Sequence, residues 1–182
     1  FITQGALTPR FEKAVCNYTG SRYGIAVNSG TSALHVACLA LGLGKNDWLW
    51  TTPISFVASA NCGLYCGAKV AFVDIDPLSW NISVDRLKEK LLKSKQENRL
   101  PKVLVAVHLC GLPCDMEEIY ALSKKYGFRI IEDACHAIGG RYKNYPIGSC
   151  RYSDITVFSF HPVKNITTGE GGMAVTNDQQ LA

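Results

Sequence analysis

The chain has 182 residues, 47% of them hydrophobic and 19% charged, a composition that can bury a substantial core and fits one globular domain. Its net charge of +4 is small, and the basic residues are scattered among acidic ones, which leaves nucleic-acid binding without support. No apolar run approaches the roughly 20 residues of a membrane span and no basic-then-apolar leader opens the chain, so the expectation is a soluble, cytoplasmic protein with no membrane contact.

In chain order, Leu7 to Tyr18 predicts an amphipathic helix, with Phe11, Val15 and Tyr18 at helical spacing before Gly20. Tyr23 to Val27 then predicts a strand, and Asn28-Ser-Gly-Thr-Ser32 opens a second helix whose apolar stripe is Leu34, Ala37, Cys38 and Leu41. Trp48 to Thr52 reads as a strand followed by a helix from Phe56 to Tyr65, and Val70 to Val73 as a strand followed by a helix from Val84 to Lys93. The mixed-charge run from Lys88 to Arg99 fits a solvated helix and its exit loop. Val103 to Val107 is almost wholly aliphatic, as a strand buried on both faces should be.

Asp115 then starts a helix, with Glu118 as its expected capping-box partner. Phe128 to Ile131 predicts a strand that ends in Glu132-Asp133, Ile155 to Phe160 another that runs into Lys164, and Gly171 to Thr176 the last. This alternation implies an α/β protein, a three-layer sandwich around a mostly parallel sheet. Ligands of such sheets collect beyond the carboxyl ends of the strands, which gathers Ser29 to Ser32, Pro53 to Phe56, His108, Asp133 with His136, and Ser159 through Lys164 on one face.

The eight cysteines are expected to be reduced thiols acting as small apolar residues. Neither Cys62 with Cys66 nor Cys110 with Cys114 has the two-residue gap of a zinc hook, so no metal is expected.

Lys164 lies between a serine-bearing strand end and a glycine-rich turn. A neutral lysine amine can attack a carbonyl to give a Schiff base, the attachment by which pyridoxal phosphate is tethered; the alternative is a solvated lysine. Asn28 to Ser32 has the parts of an anion cradle, namely a glycine, two hydroxyls and helix-end amides, or of an ordinary N-cap. Asp133 closes a strand and either caps a turn or faces a ligand cation, such as a protonated pyridine nitrogen. Phe56 either stacks on a ring or belongs to the core. His35 and His108 read as structural, His136 as a hydrogen-bonding group near the cofactor, and His161 as shaping its loop. A dinucleotide fingerprint is missing: Gly42-Leu-Gly44 ends a helix instead of opening one.

The combination of Ile2-Thr-Gln-Gly5, Asn28-Ser-Gly-Thr-Ser-Ala-Leu34, Glu132-Asp-Ala-Cys-His-Ala137 and Ser159-Phe-His-Pro-Val-Lys164 resembles the DegT/DnrJ/EryC1/StrS sugar aminotransferases, of fold type I among the pyridoxal-phosphate enzymes. The resemblance implies that Lys164 carries the cofactor and is catalytic, that Asp133 meets the pyridine nitrogen and that Phe56 stacks on the ring. It assigns Thr31, Ser32 and Ser159 to the phosphate, and it places His136 where the family has Gln or His near the ring. Lysine at position 164, where a related branch of dehydratases has histidine, favours transamination.

Thr51-Thr-Pro-Ile-Ser-Phe-Val57 and Phe160 to Thr168 are most similar to the branch making UDP-4-amino-4,6-dideoxy-N-acetyl-β-L-altrosamine, a pseudaminic acid precursor. The implied reaction moves an amino group from glutamate to the C4 ketone of a UDP-linked 6-deoxy sugar. The chain begins with Phe1 and ends at Ala182. The resemblance therefore implies that residues 1–182 are a partial pyridoxal-phosphate-binding large domain, without the small C-terminal domain, and that the full-length protein is a homodimer. The rival expectation is a catalytically incompetent fragment serving as a folding or interaction module.

Overall fold

A computed structural model describes residues 5–182, so Ile2, Thr3 and Gln4 of the opening motif lie outside the described residues. Helices α1 (Leu7–Thr19), α2 (Gly30–Ala40), α3 (Ala58–Tyr65), α4 (Val84–Gln96) and α5 (Met116–Tyr126) alternate with the strands of one sheet. Its strands are β1 (Tyr23–Val27), β2 (Trp48–Thr51), β3 (Lys69–Phe72), β4 (Val103–Val107), β5 (Arg129–Asp133), β8 (Ile155–Ser159) and β9 (Gly172–Thr176). They run in the order β1-β9-β8-β5-β4-β2-β3.

Strand β4 shows why its sequence is apolar without alternation. Val103, Val105 and Val107 belong to the core under α2 and α3, whereas Leu104 and Ala106 belong to the core under α4 and α5. Each face of the strand is thus covered by a helical layer, the arrangement of a three-layer sandwich. A third apolar cluster joins Val15 and Cys16 of α1 to Phe158, Met173 and Val175.

The sheet is parallel from β3 through β8, but β9 runs antiparallel to both β8 and β1. The chain leaves β8, forms the loop that bears Lys164, and returns as β9 between β8 and β1. Gly172 thereby pairs with both Ser159 and Val27.

Two local expectations need correction. The helix expected from Phe56 begins at Ala58, and Phe56 stays 69% exposed ahead of it. Asp115 makes no side-chain cap on α5; its carboxylate accepts the Tyr142 hydroxyl proton at 2.8 Å, and Glu118 pairs with Lys88 at 3.3 Å. Tyr142 is brought there by the small hairpin of β6 (Arg141–Tyr142) and β7 (Tyr145–Pro146), which no period in the sequence announces. All eight cysteines are free thiols, and Cys16, Cys38, Cys62, Cys114 and Cys150 are buried, in keeping with their expected use as small apolar residues.

Candidate cofactor site

A cavity of about 280 Å³ opens at the carboxyl ends of the strands, and Thr31, Phe56, Asp133, His136, Ser159 and Lys164 line it together. A larger, more open groove of about 640 Å³, walled by Asp76, Asp85, Asp115 and Glu118 among others, contains none of them.

One end of the cavity suits an anion. Ser29 caps α2 by accepting the Ser32 N–H at 3.1 Å, and the Ser32 hydroxyl donates to Asn28 Oδ1 at 2.6 Å. Ser32 is thus engaged in the cap and is absent from the cavity wall, while Gly30 and Thr31 line it. Gly30 packs tightly against the neighbouring wall: a β-carbon there would stand 2.9 Å from Ser159 Cβ and 3.1 Å from Cys135 Sγ. The close approach brings the positive end of α2 beside the Ser159 hydroxyl, and helix-end amides next to a hydroxyl are the parts of an anion cradle.

The other end holds a buried carboxylate. Asp133 is 5% exposed. Its Oδ2 accepts a hydrogen bond from the Ser59 hydroxyl at 2.7 Å, and its Oδ1 accepts one from the Cys135 N–H at 3.2 Å. Ser59 in turn lies 2.7 Å from the Ser55 hydroxyl, and Ser55 lines the cavity. Ser55 belongs to the Pro53 to Phe56 turn expected on this face, whereas nothing in the sequence singled out Ser59. Ser55 lies ahead of α3 and Ser59 inside it, so no helical spacing in the sequence pairs them.

Lys164 is half-buried on the β8–β9 loop. That loop is pinned by Thr167 Oγ1 donating to the Phe160 carbonyl at 2.9 Å, and by the Asn165 amide donating to the His136 carbonyl at 3.4 Å. The positive charge of Lys164 is felt by its neighbours. His136 is held below its ordinary value of 6.5 by burial and by Lys164, against a smaller opposing pull from Asp133. The imidazole is therefore neutral at neutral pH, and its Nδ1 accepts the Cys110 N–H at 3.3 Å. Burial, followed by the nearby Asp133 charge, pushes the Cys135 thiol well above its ordinary value, so it is a neutral part of the wall.

His161 shapes its loop, as expected, by accepting the Val163 N–H at 3.4 Å, and it also lines the cavity opposite its partner Glu170. Glu170 and Cys135 are further wall residues that the motif reading passed over. His35 stacks edge-on against Tyr65 with ring centres 5.4 Å apart. His108 is fully buried, with Nε2 2.8 Å from Glu132 Oε2. The Cys114 N–H donates to its Nδ1 at 3.1 Å, which leaves Nε2–H to donate to the carboxylate. Both histidines are structural, and neither lines the cavity.

The model of the DegT/DnrJ/EryC1/StrS aminotransferase family matches residues 1–182. The chain belongs to this family. Among curated DegT/DnrJ/EryC1/StrS relatives, the UDP-4-amino-4,6-dideoxy-N-acetyl-beta-L-altrosamine transaminase of Campylobacter jejuni is 43% identical over 180 residues, covering 99% of this chain and 46% of that protein. Among solved structures, a family aminotransferase from Brucella abortus superposes with a TM-score of 0.92 at 34% identity, covering 97% of this chain and 48% of that one. The Bacillus subtilis protein solved with bound pyridoxamine phosphate superposes at 0.87 with 34% identity, covering 98% and 39%.

The fold type I architecture expected from the sequence is therefore present, and pyridoxal phosphate is the cofactor of the DegT/DnrJ/EryC1/StrS family. The chain spans about half the length of the relatives it matches. No helix among the described residues is long and apolar enough to cross a membrane.

Proposed function

We propose that this chain is the pyridoxal-phosphate-binding part of a nucleotide-sugar aminotransferase, which moves an amino group from glutamate to the C4 ketone of a UDP-linked 4-keto-6-deoxy sugar. One observation carries the reading: a lysine, a buried carboxylate and a helix-end anion cradle converge on a single cavity of about 280 Å³. Those parts fit the cofactor, because the α2 end at Gly30 and the Ser159 hydroxyl stand together in the cavity wall as donors for its phosphate, Asp133 offers a fixed acceptor and Phe56 an exposed ring at the rim. The name of the Campylobacter jejuni relative supports the sugar.

When bound, pyridoxal phosphate supplies an electron sink for a carbanion next to nitrogen. The amides of Gly30 and Thr31, with the Thr31 and Ser159 hydroxyls, bind the phosphate. Asp133 holds a proton on the pyridine nitrogen. Phe56 covers a ring face and excludes water. Lys164 anchors the cofactor, and its Nζ then takes up and returns the proton that moves during transfer. His136, neutral and half-buried, hydrogen-bonds near the ring. The Ser32 hydroxyl supports the cradle through the cap and does not meet the phosphate. Residues 1–182 form a partial large domain, and the whole protein works as a cytoplasmic homodimer.

The test uses full-length protein. Purified with pyridoxal phosphate, it should show a visible-violet absorbance band that Lys164→Ala abolishes. With glutamate and a UDP-linked 4-keto-6-deoxy sugar it should release the aminated sugar, detected by mass spectrometry. Uptake of pyridoxal phosphate without amination of any 4-keto nucleotide sugar would overturn the substrate assignment. A protein that never takes up pyridoxal phosphate would be a folding or interaction module instead.

A further inference from the structure

The hydroxyl pair behind the Asp133 carboxylate has a defined direction. Ser59 has one hydroxyl proton and two acceptors within reach: Asp133 Oδ2 at 2.7 Å and the Phe56 carbonyl at 3.2 Å. The shorter, charge-assisted bond takes the proton, since a buried carboxylate is the stronger acceptor. Ser59 Oγ then presents only lone pairs to Ser55, so the Ser55 hydroxyl is the donor across their 2.7 Å contact. The chain of donation runs from Ser55 to Ser59 to Asp133.

Ser59 is 1% exposed and Asp133 5% exposed, and bonds in such a poorly solvated place polarise one another and strengthen. Oδ1 is meanwhile occupied by the Cys135 N–H at 3.2 Å. Both oxygens are thereby fixed by groups on different elements, α3 on one side and the turn after β5 on the other.

We infer that Ser59 is a positioning residue for the cofactor: its hydroxyl, oriented by Ser55, holds the Asp133 carboxylate immobile so that the carboxylate retains a proton on the pyridine nitrogen. The inference rests on the proposed placement of pyridoxal phosphate against Asp133. Without the Ser59 donor, the Asp133 carboxylate loses the bond that fixes Oδ2, can turn away from the pyridine nitrogen and stabilises the proton there less. A less positive pyridine ring then raises the proton affinity of the nitrogen that links Lys164 to the cofactor, because a nearby like charge disfavours protonation.

The experiment is a pH titration of the visible band of full-length protein loaded with pyridoxal phosphate, in the parent and in Asp133→Asn, Ser59→Ala and Ser55→Ala. Asp133→Asn should raise the midpoint most. Ser59→Ala should raise it in the same direction and loosen pyridoxal phosphate by about tenfold, the scale of one hydrogen bond to a charged group. Ser55→Ala should raise it less, and Ser59→Thr, which keeps the hydroxyl, should restore it. If Asp133→Asn moves the midpoint while Ser59→Ala and Ser55→Ala leave it in place, the serines are only structural and the inference fails alone. If Asp133→Asn also leaves it in place, the placement of the cofactor against Asp133 fails with it.

Discussion

Gly172 lies directly against the backbone of Ser29: a β-carbon on Gly172 would stand 2.1 Å from the Ser29 carbonyl oxygen and 2.5 Å from the Gly30 nitrogen. The first residue of β9 thus sets where α2 begins, and the colliding atoms are main chain that cannot rotate away. Gly172→Ala should destabilise the protein by about 3 kcal/mol, the upper range for overpacking a tight site. Urea denaturation measures it, and the surviving folded protein should bind pyridoxal phosphate more weakly because the cradle at Gly30 has shifted.

Phe56 separates binding from stability. Its side chain is 69% exposed and sits ahead of α3, so the fold does not depend on it. Phe56→Ala should change unfolding free energy by no more than about 0.5 kcal/mol. Pyridoxal phosphate affinity should fall roughly threefold to tenfold, the scale of one aromatic stacking contact. Equilibrium dialysis beside a thermal melt distinguishes the two effects; a large loss of stability with unchanged affinity would contradict the assigned role.

Glu132, next to Asp133 on β5, forms a buried pair with His108 at 2.8 Å. Burial by itself would raise the Glu132 carboxyl, but the bonds from His108, Ser153 and Thr156 outweigh it and hold the group below its ordinary value of 4.5. Between 4.5 and the lower folded value the unfolded chain binds the proton and the native chain does not, so this contribution to stability is present above that window and is lost as pH falls through it. Glu132→Gln should therefore flatten the acid limb of a stability-against-pH curve. At neutral pH it should also cost about 2 kcal/mol, since an amide replaces one of the two acceptor oxygens by a donor nitrogen and leaves a buried donor without its acceptor.

His136 should report the charge of Lys164. Its imidazole should titrate below 6.5, because burial and the Lys164 cation both disfavour protonation. Replacing Lys164 by Ala removes the second cause, so the midpoint should rise while remaining below the value of an exposed histidine. A proton NMR titration of the ring resonances checks it, and an unchanged midpoint in the variant would show that Lys164 does not face His136.

Lys164 and Asp133 were legible in the sequence because Asp133 ends a strand of unmistakable apolar pattern and Lys164 follows another in the loop beyond it, and loops at the carboxyl ends of parallel strands converge. Ser59 was not, because a serine near the start of a helix looks the same whether its hydroxyl points to solvent or to a carboxylate 74 positions away. Glu170 was hidden because it joins the wall through a loop that folds back on itself, and Cys135, although it stands between Asp133 and His136, because its residue type reads as one more small apolar cysteine. The Asp115 cap was misread because the competing donor, Tyr142, belongs to a hairpin of two-residue strands, too short to show a period.

What the sequence determined by itself was the alternation of strands and helices, the burial of β4 on both faces and the motifs that bring Lys164, Asp133 and Thr31 to one end of the sheet. These follow from local periodicity and from residue types that chemistry demands, both written along the chain. The insertion of β9 between β8 and β1, the contact of Gly172 with Ser29 and the relay from Ser55 through Ser59 to Asp133 were decided only by the tertiary structure. They join residues far apart in the chain through packing distances of a few ångströms, and local sequence carries no record of such distances.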